Sequence, residues 1–290
     1  MSSAACTLTP VSTRSNTPAS SQAPMRVVFL GSGSAGNATA VCFGEQIVLV
    51  DCGLSARETA RRLASVGLEA ADVAAILLTH EHGDHIRGVD VFVRRHAPEC
   101  VVYGTGPTLR AAGIERERIA VKRGEPFSVA GVEVLPFATS HDAAQPVGYR
   151  LQACGRAVGL ATDTGVLTEE ALEALADVDV LGIESNHCER MLERGPYPPH
   201  LKRRIASDAG HLSNSAAAEA LTRLASDRLA YVVGVHRSTT NNTASLALET
   251  LAARATSLGL SACVSVAYQD RCCECGDGLV DIRDGDRAAR

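Results

Sequence analysis

The sequence predicts an α/β fold. Short apolar runs bounded by turn residues alternate with stretches whose apolar residues recur at helical spacing. Hydrophobic residues make up 46% of the 290, ample for a packed core. A third observation says where the chemistry lies. The apolar run Ala74-Ala75-Ile76-Leu77-Leu78 reads as a buried strand and ends in Thr79-His80-Glu81-His82-Gly83-Asp84-His85. A tight loop therefore carries three imidazoles and the Asp84 carboxylate away from a strand end. These are the ligand types of zinc and other borderline divalent metals, and spacings of one or two residues let them converge on two neighbouring centres.

The elements follow in order. Residues 1–24 are rich in Ser, Thr, Ala and Pro, hold no acidic residue, and offer too little apolar surface to offset the entropy of ordering. They are expected to form a disordered tail that the folded domain, 25–270, does not need. Without an apolar h-region they do not read as a secretory signal. Arg26 to Leu30 reads as a strand, followed by Gly31-Ser-Gly33-Ser-Ala-Gly36. The pattern imitates a dinucleotide fingerprint, with Asp51 about 20 residues on. That fingerprint needs a helix starting at the glycines. Here Ala38 to Phe43 and Ile47 to Val50 read instead as a hairpin around Gly44-Glu-Gln, so the glycines serve a backbone turn.

Ser55 is an N-cap for a helix to Val66, with Gly67 as its stop. Val89 to His96 reads as a helix and Cys100 to Tyr103 as a strand. Phe127 to Leu135 gives strands split at Ala130-Gly131, leading to His141-Asp142. The hairpin of Val147 to Leu151 and Ala157 to Ala161 delivers Thr162-Asp163-Thr164-Gly165. A helix starts at Thr168, and the strand Val178 to Ile183 ends in Glu184-Ser-Asn-His187. Gly195-Pro-Tyr-Pro-Pro199 is a rigid loop, and His200-Leu-Lys-Arg-Arg204 the most basic short run. Gly210-His211-Leu-Ser213 precedes a helix from Ser215 to Ser226. Leu229 to Val235 is a strand ending at His236, Ala244 to Leu258 a helix, and Ser261 to Ala267 a last strand. Residues 271–290, with Cys272, Cys273 and Cys275, read as a flexible tail.

A formal net charge of -5 argues against nonspecific coating of nucleic acid but leaves room for a local basic groove. No apolar run reaches membrane-spanning length. Ten scattered cysteines with no secretory signal before them read as reduced thiols, and the protein as cytoplasmic.

His80-x-His82-x-Asp84-His85 after an apolar strand resembles the signature of the metallo-β-lactamase fold superfamily, and the likeness runs from about Met25 to Asp270. Further segments narrow it to the YycJ/WalJ group of bacterial nucleases: Met25 to Asn37, Glu184-Ser-Asn-His187, Gly195-Pro-Tyr-Pro198, Gly210-His-Leu-Ser-Asn214 and Asn241-Asn-Thr243. The resemblance implies a four-layer αββα sandwich, built as two halves of strands and helices. It also implies two divalent metal ions, Zn2+ or Mn2+. His80, His82 and His141 would hold one, Asp84, His85 and His236 the other, with Asp163 between them and Asp84 also counted as catalytic. Asp51 resembles the first superfamily motif, a carboxylate behind the metal loop.

His211 lies in a loop that resembles the histidine loop of tRNase Z enzymes. It is the expected general acid, with Glu184 supporting it. Asn186, His187, Lys202, Arg203 and Arg204 are the expected substrate contacts. Where Arg237 stands the group usually shows an apolar residue. The implied activity is metal-dependent phosphodiester hydrolysis by a 5'-to-3' DNA exonuclease acting in DNA repair, with nucleic acid as partner and no membrane. Two cations about 4 Å apart would make a bridging hydroxide available near neutral pH, polarise the phosphoryl oxygen and stabilise the leaving oxygen. The alternatives are a tRNase Z-like RNA-processing nuclease, a thioester hydrolase of the glyoxalase II type, and a noncatalytic metal-binding module.

Overall fold

A computed structural model describes residues 24–114 and 118–277. The expected N-terminal tail up to Ala23 and the stretch after Asp277 lie outside the described residues.

Three strands open the domain as an antiparallel meander: β1 (Met25–Gly31), β2 (Ala38–Phe43) and β3 (Gln46–Val50). No helix follows the glycine-rich segment, as the strand reading of Ala38 to Phe43 requires. Helix α1 (Ala56–Ser65) is capped by Ser55, whose side chain accepts from the Glu58 amide. Strand β4 (Val73–Leu77) leads into the histidine loop, whose last residues form a single turn, α2 (Gly83–Ile86). Then come α3 (Val89–Arg95), β5 (Val101–Thr105), α4 (Gly106–Ala111) and β6 (Arg118–Val121).

The second half opens on β7 (Phe127–Val129), β8 (Val132–Ala138), β9 (Val147–Ala153) and β10 (Arg156–Ala161). Helix α5 (Glu169–Leu175), capped by Thr168, crosses to β11 (Val180–Glu184). Three helices follow: α6 (Glu189–Arg194), α7 (Pro199–Ile205) and α8 (Asn214–Leu224). Strand β12 (Tyr231–Val235), helix α9 (Ala244–Ser257) and strand β13 (Cys263–Val266) complete the second sheet.

One element corrects the reading of 271–290 as a flexible tail. Cys273–Gly276 forms β14, antiparallel to β1, with Cys275 opposite Val27. Arg26 fixes it further, donating to Glu274 from Nε and Nη2 at 3.0 and 2.7 Å. The reason is burial: Cys275 is 2% exposed and belongs to the core between the sheets.

Two seven-stranded sheets result, ordered β14-β1-β2-β3-β4-β5-β6 and β13-β12-β11-β10-β9-β8-β7. Each is parallel on one side and antiparallel on the other. Their facing sides bury Phe29, Phe43, Tyr149 and Val233 in one core. The outer face of the first sheet packs on α1, α3 and α4 through Leu63, Phe92 and Leu109. That of the second packs on α5, α8 and α9 through Leu175, Leu221 and Leu251. This is the αββα sandwich that the sequence resemblance implied. Tyr149, fully buried, donates its hydroxyl proton to the Leu78 carbonyl at 2.7 Å, tying the second sheet to the root of the histidine loop.

Candidate metal centre

Parallel strands carry their chemistry at their C-terminal ends, where the crossovers leave a crevice. Asp51 follows β3, the histidine loop follows β4, Asp163 follows β10, Glu184 ends β11 and His236 follows β12. His141 comes from the loop after β8. Asp51, Asp163 and His236 all hold positive φ, at 61°, 52° and 50°. Such backbone is costly for a residue with a Cβ and persists where the surroundings over-determine it.

The histidine loop is seated on backbone. Asn37 N donates to the Asp84 carbonyl at 2.7 Å and Cys52 N to the His85 carbonyl at 2.8 Å. The fit demands glycine at Gly53, where a Cβ would stand 1.6 Å from the Asp84 carbonyl oxygen. Asp51 anchors it from behind. Its carboxylate accepts from the Thr79 amide at 2.9 Å and the Thr79 hydroxyl at 2.8 Å, and lies 2.7 Å from His85 Nδ1.

The seven expected ligands converge. The ligand atoms of His80, His82 and His141 lie within 4.8 Å of one another, as do those of Asp84, His85 and His236, and of His80, His85 and Asp163. His80 Nε2 is 3.0 Å from His82 Nδ1, and His141 Nε2 is 3.4 Å from that same atom. Asp163 spans the groups, Oδ2 standing 3.2 Å from His85 Nε2 and Oδ1 3.8 Å from His141 Nε2. His141 Nδ1–H donates to the Gly210 carbonyl at 3.0 Å, which leaves Nε2 with its lone pair free to bind a cation.

Three observations fit this donor set to divalent cations. The nitrogen and carboxylate donors share small spheres. His236 Nε2 is buried and has no hydrogen-bond partner. The field also calls for positive charge. Burial opposes an imidazolium at His85, yet Asp163 and Asp51 push it up to about 10, and Asp163 likewise raises His236 well above its ordinary range against burial. Burial, with His85 beside it, holds His80 well below the usual range, so its ring is neutral.

Glu184 organises the far side. Its fully buried carboxylate lies 2.9 Å from His211 Nδ1 and 2.8 Å from His236 Nδ1 through one oxygen, and accepts from the Thr164 and Leu212 amides through the other. Burial opposes ionisation of Glu184, but His211 and its hydrogen bond hold the carboxyl down at about 2. Burial likewise disfavours the His211 imidazolium, and Glu184 outweighs it, so His211 titrates above the ordinary range.

The expected substrate contacts divide. Beside the centre lies a cleft of about 200 Å³, lined by His141, His211, Asn186 and Arg204 among others. His187 does not reach it. The ring is 2% exposed, because the backbone bridge from His187 to Ser213 turns the residue under the start of α8. Lys202 Nζ donates to the Glu193 carbonyl at 2.7 Å, back toward α6, and the exposed Arg203 is not part of the lining. The lining face of α7 is Leu201, Arg204 and Ile205, at i, i+3 and i+4, so of the basic run only Arg204 belongs to the cleft. Its Nε and Nη2 reach Asp142 Oδ2 at 2.8 and 2.5 Å. Sequence reasoning missed Tyr197, Ser34 and Ser238, which also line the cleft. The prolines that follow Tyr197 were the one local signal for it.

Known proteins resemble this chain in sequence and in shape. A family model described as a β-lactamase superfamily domain matches residues 46–236. The exodeoxyribonuclease YycJ of Bacillus anthracis is 37% identical over 224 residues, covering 75% of this chain and 84% of that protein. The exodeoxyribonuclease WalJ of Streptococcus pneumoniae is 33% identical over 231 residues, 77% of this chain and 85% of that one. The crystal structure of the metallo-β-lactamase fold protein YhfI of Bacillus subtilis superposes with a TM-score of 0.65 at 17% identity, over 87% of this chain and all (100%) of that one.

Proposed function

The chain belongs to the β-lactamase superfamily, a metal-dependent hydrolase by its fold and donor set, and from that premise we propose that it is an exodeoxyribonuclease. It removes nucleotides from the 5' end of DNA, in the cytoplasm and in the service of DNA repair, using two divalent cations, Zn2+ or Mn2+. The names and coverage of the relatives support a nuclease. The thiols of the nine described cysteines, all free, suit a reducing compartment.

The observation that carries the reading is the His211–Glu184 pair. A hydrolase acting on a thioester expels a leaving group that needs no proton, whereas a sugar 3'-oxygen departs as an alcohol and does. His211 stands beside the metal ligands, 22% exposed at its side chain, with Nδ1 held by Glu184. Nε2 is then the nitrogen that gives its proton to the leaving oxygen. Glu184 fixes the ring and favours the charged acid form.

His80, His82 and His141 would hold one cation, and Asp84, His85 and His236 the second, with Asp163 shared. When bound, the cations supply Lewis-acid polarisation of the phosphodiester and an acidified water. Asp51 and Thr79 keep the His85 ring oriented, and Gly210 does the same for His141. Arg204, which lines the cleft and is held by Asp142, would meet a flanking phosphate there.

The test offers the purified protein, with Mn2+, duplex DNA labelled at either end, precursor tRNA and a thioester in parallel. Mononucleotides released first from the 5' end of DNA support the proposal. Cleavage of precursor tRNA alone moves the activity to RNA processing. Turnover of the thioester alone removes the nuclease reading.

A further inference from the structure

The cleft beside His141 and His211 has a chemistry that phosphodiester hydrolysis does not use. Its apolar lining comes from one stretch of chain: Tyr197, then Leu201 and Ile205 on α7. Spacings of four place these three on one side of the helix and its approach. Pro198 and Pro199 follow the tyrosine, so the backbone there is preset and little entropy is lost when something settles on the ring. The ring is half-buried, and its hydroxyl makes no hydrogen bond to the protein among the described residues.

The polar lining comes from other loops, and its atoms have spare capacity. Ser238 Oγ accepts from the Thr240 and Asn241 amides at 3.2 and 3.0 Å, leaving its own proton to donate. Asn186 Nδ2 is committed to the His236 carbonyl at 2.8 Å, which leaves Oδ1 as an acceptor. The cleft therefore offers an aromatic ring with aliphatic flanks, one donor, one acceptor and the Arg204 guanidinium paired with Asp142, beside the hydrolytic centre. A planar heterocycle with polar edges, joined to a phosphate, matches each of these features.

We propose that this cleft is the subsite for the terminal nucleoside, its base stacked on Tyr197 and flanked by Leu201 and Ile205; the proposal rests on the nuclease reading and names how that site grips its substrate. Stacking tolerates any base, because every base has a π-face, so the subsite reads the presence of a base and not its identity.

The experiment compares oligonucleotides ending in a normal nucleotide with the same oligonucleotides ending in an abasic residue. The wild-type protein should favour the normal end in kcat/KM on the order of 10-fold, within the range of one base stacked on one ring. Tyr197→Ala should bring the ratio close to one, and Tyr197→Phe should restore it, since the ring and not the hydroxyl does the stacking. A Tyr197→Ala protein that keeps the wild-type ratio overturns the proposal. A fold defect lowers both rates and leaves the ratio intact, so it is not mistaken for loss of stacking. A second arm needs no nuclease activity: calorimetric binding of deoxyadenosine monophosphate against deoxyribose 5-phosphate to the metal-loaded protein. Preference for the nucleotide that is lost in Tyr197→Ala supports the subsite even if no nucleic acid is cleaved. Equal affinity of the two ligands for the wild-type protein overturns it.

Discussion

Asn214 and Asn242 exchange two side-chain hydrogen bonds, Asn214 Nδ2 donating to Asn242 Oδ1 at 3.0 Å and Asn242 Nδ2 to Asn214 Oδ1 at 2.8 Å. Asn242 Nδ2 also reaches the Ser185 and Asn186 carbonyls, and Ser185 Oγ donates to Asn214 Oδ1. Both amides are buried. The clip joins the segments that follow Glu184, His211 and His236, three residues remote in sequence. Asn242→Ala should cost about 1–3 kcal/mol, the penalty of stranding buried polar groups. Asn242→Asp should cost more, because it turns a buried donor into an acceptor facing other acceptors. Denaturant unfolding of both variants checks the order; an aspartate as stable as the alanine would mean that the amide donors matter little.

His82→Ala should lower bound metal and abolish turnover while the fold survives. Its ring stands 3.0 Å from His80 and 3.4 Å from His141, and it is only half-buried, so its removal opens a ligand position and leaves the core intact. Elemental analysis beside circular dichroism measures both, and full metal occupancy with full activity would undo the ligand assignment.

His211→Ala should retain metal but lose about 10²–10⁴-fold in turnover, the span of general acid catalysis. The loss should shrink on a substrate with a p-nitrophenolate leaving group, which departs without a proton. Equal losses on both substrates would make His211 a binding or structural residue.

Of the basic run only Arg204 lines the cleft, so the three residues should respond differently to substitution. Arg204→Ala should raise KM for DNA and lower the slope of log KM against log salt by about 1, as one fewer phosphate contact is made. Lys202→Ala and Arg203→Ala should leave that slope close to wild type, because neither side chain belongs to the cleft.

Glu58 should make stability depend on acid. A hydrogen bond from Arg61 holds its carboxyl down at about 2, Arg62 adds to this, and partial burial opposes both. Arg62 is itself buried and needs the carboxylate, which it meets at 2.6 Å. The folded pKa lies below the unfolded one, so the unfolded chain binds the extra proton between them. The contribution is therefore complete above an ordinary glutamate pKa of about 4.3 and lost as pH falls through about 2. Glu58→Gln should be less stable near neutrality by on the order of 1 kcal/mol and should show a flatter acid slope. Thermal melts from pH 7 to pH 2 check the two curves.

The legible parts of the site were the local ones. Four candidate ligands sit within six positions of one loop, so spacing alone pointed to His80, His82, Asp84 and His85. His141, Asp163 and His236 are single residues after strands, locally no different from any loop residue, and only the family resemblance pointed to them. The fold was readable where strands are buried and apolar, as in β4 and β11. It was not readable in β14, four residues long and carrying a glutamate and two cysteines, whose pairing depends on a partner at the other end of the domain. Tyr197 and His187 show the same limit. Whether a side chain meets a cleft or the core is decided by which helix lies over it, and no local pattern records that.

The pairing of β14 with β1 also sets an order of events. Arg26 and Glu274 are 248 residues apart, so the outer edge of the first sheet is closed by a strand made only after the whole second sheet. Until then β1 presents a bare row of amides and carbonyls, the kind of edge that recruits strands from other molecules. The nascent chain carries that vulnerability through the synthesis of the entire second sheet. Its yield on expression should therefore respond to chaperone supply and growth temperature more than the stability of the finished domain suggests.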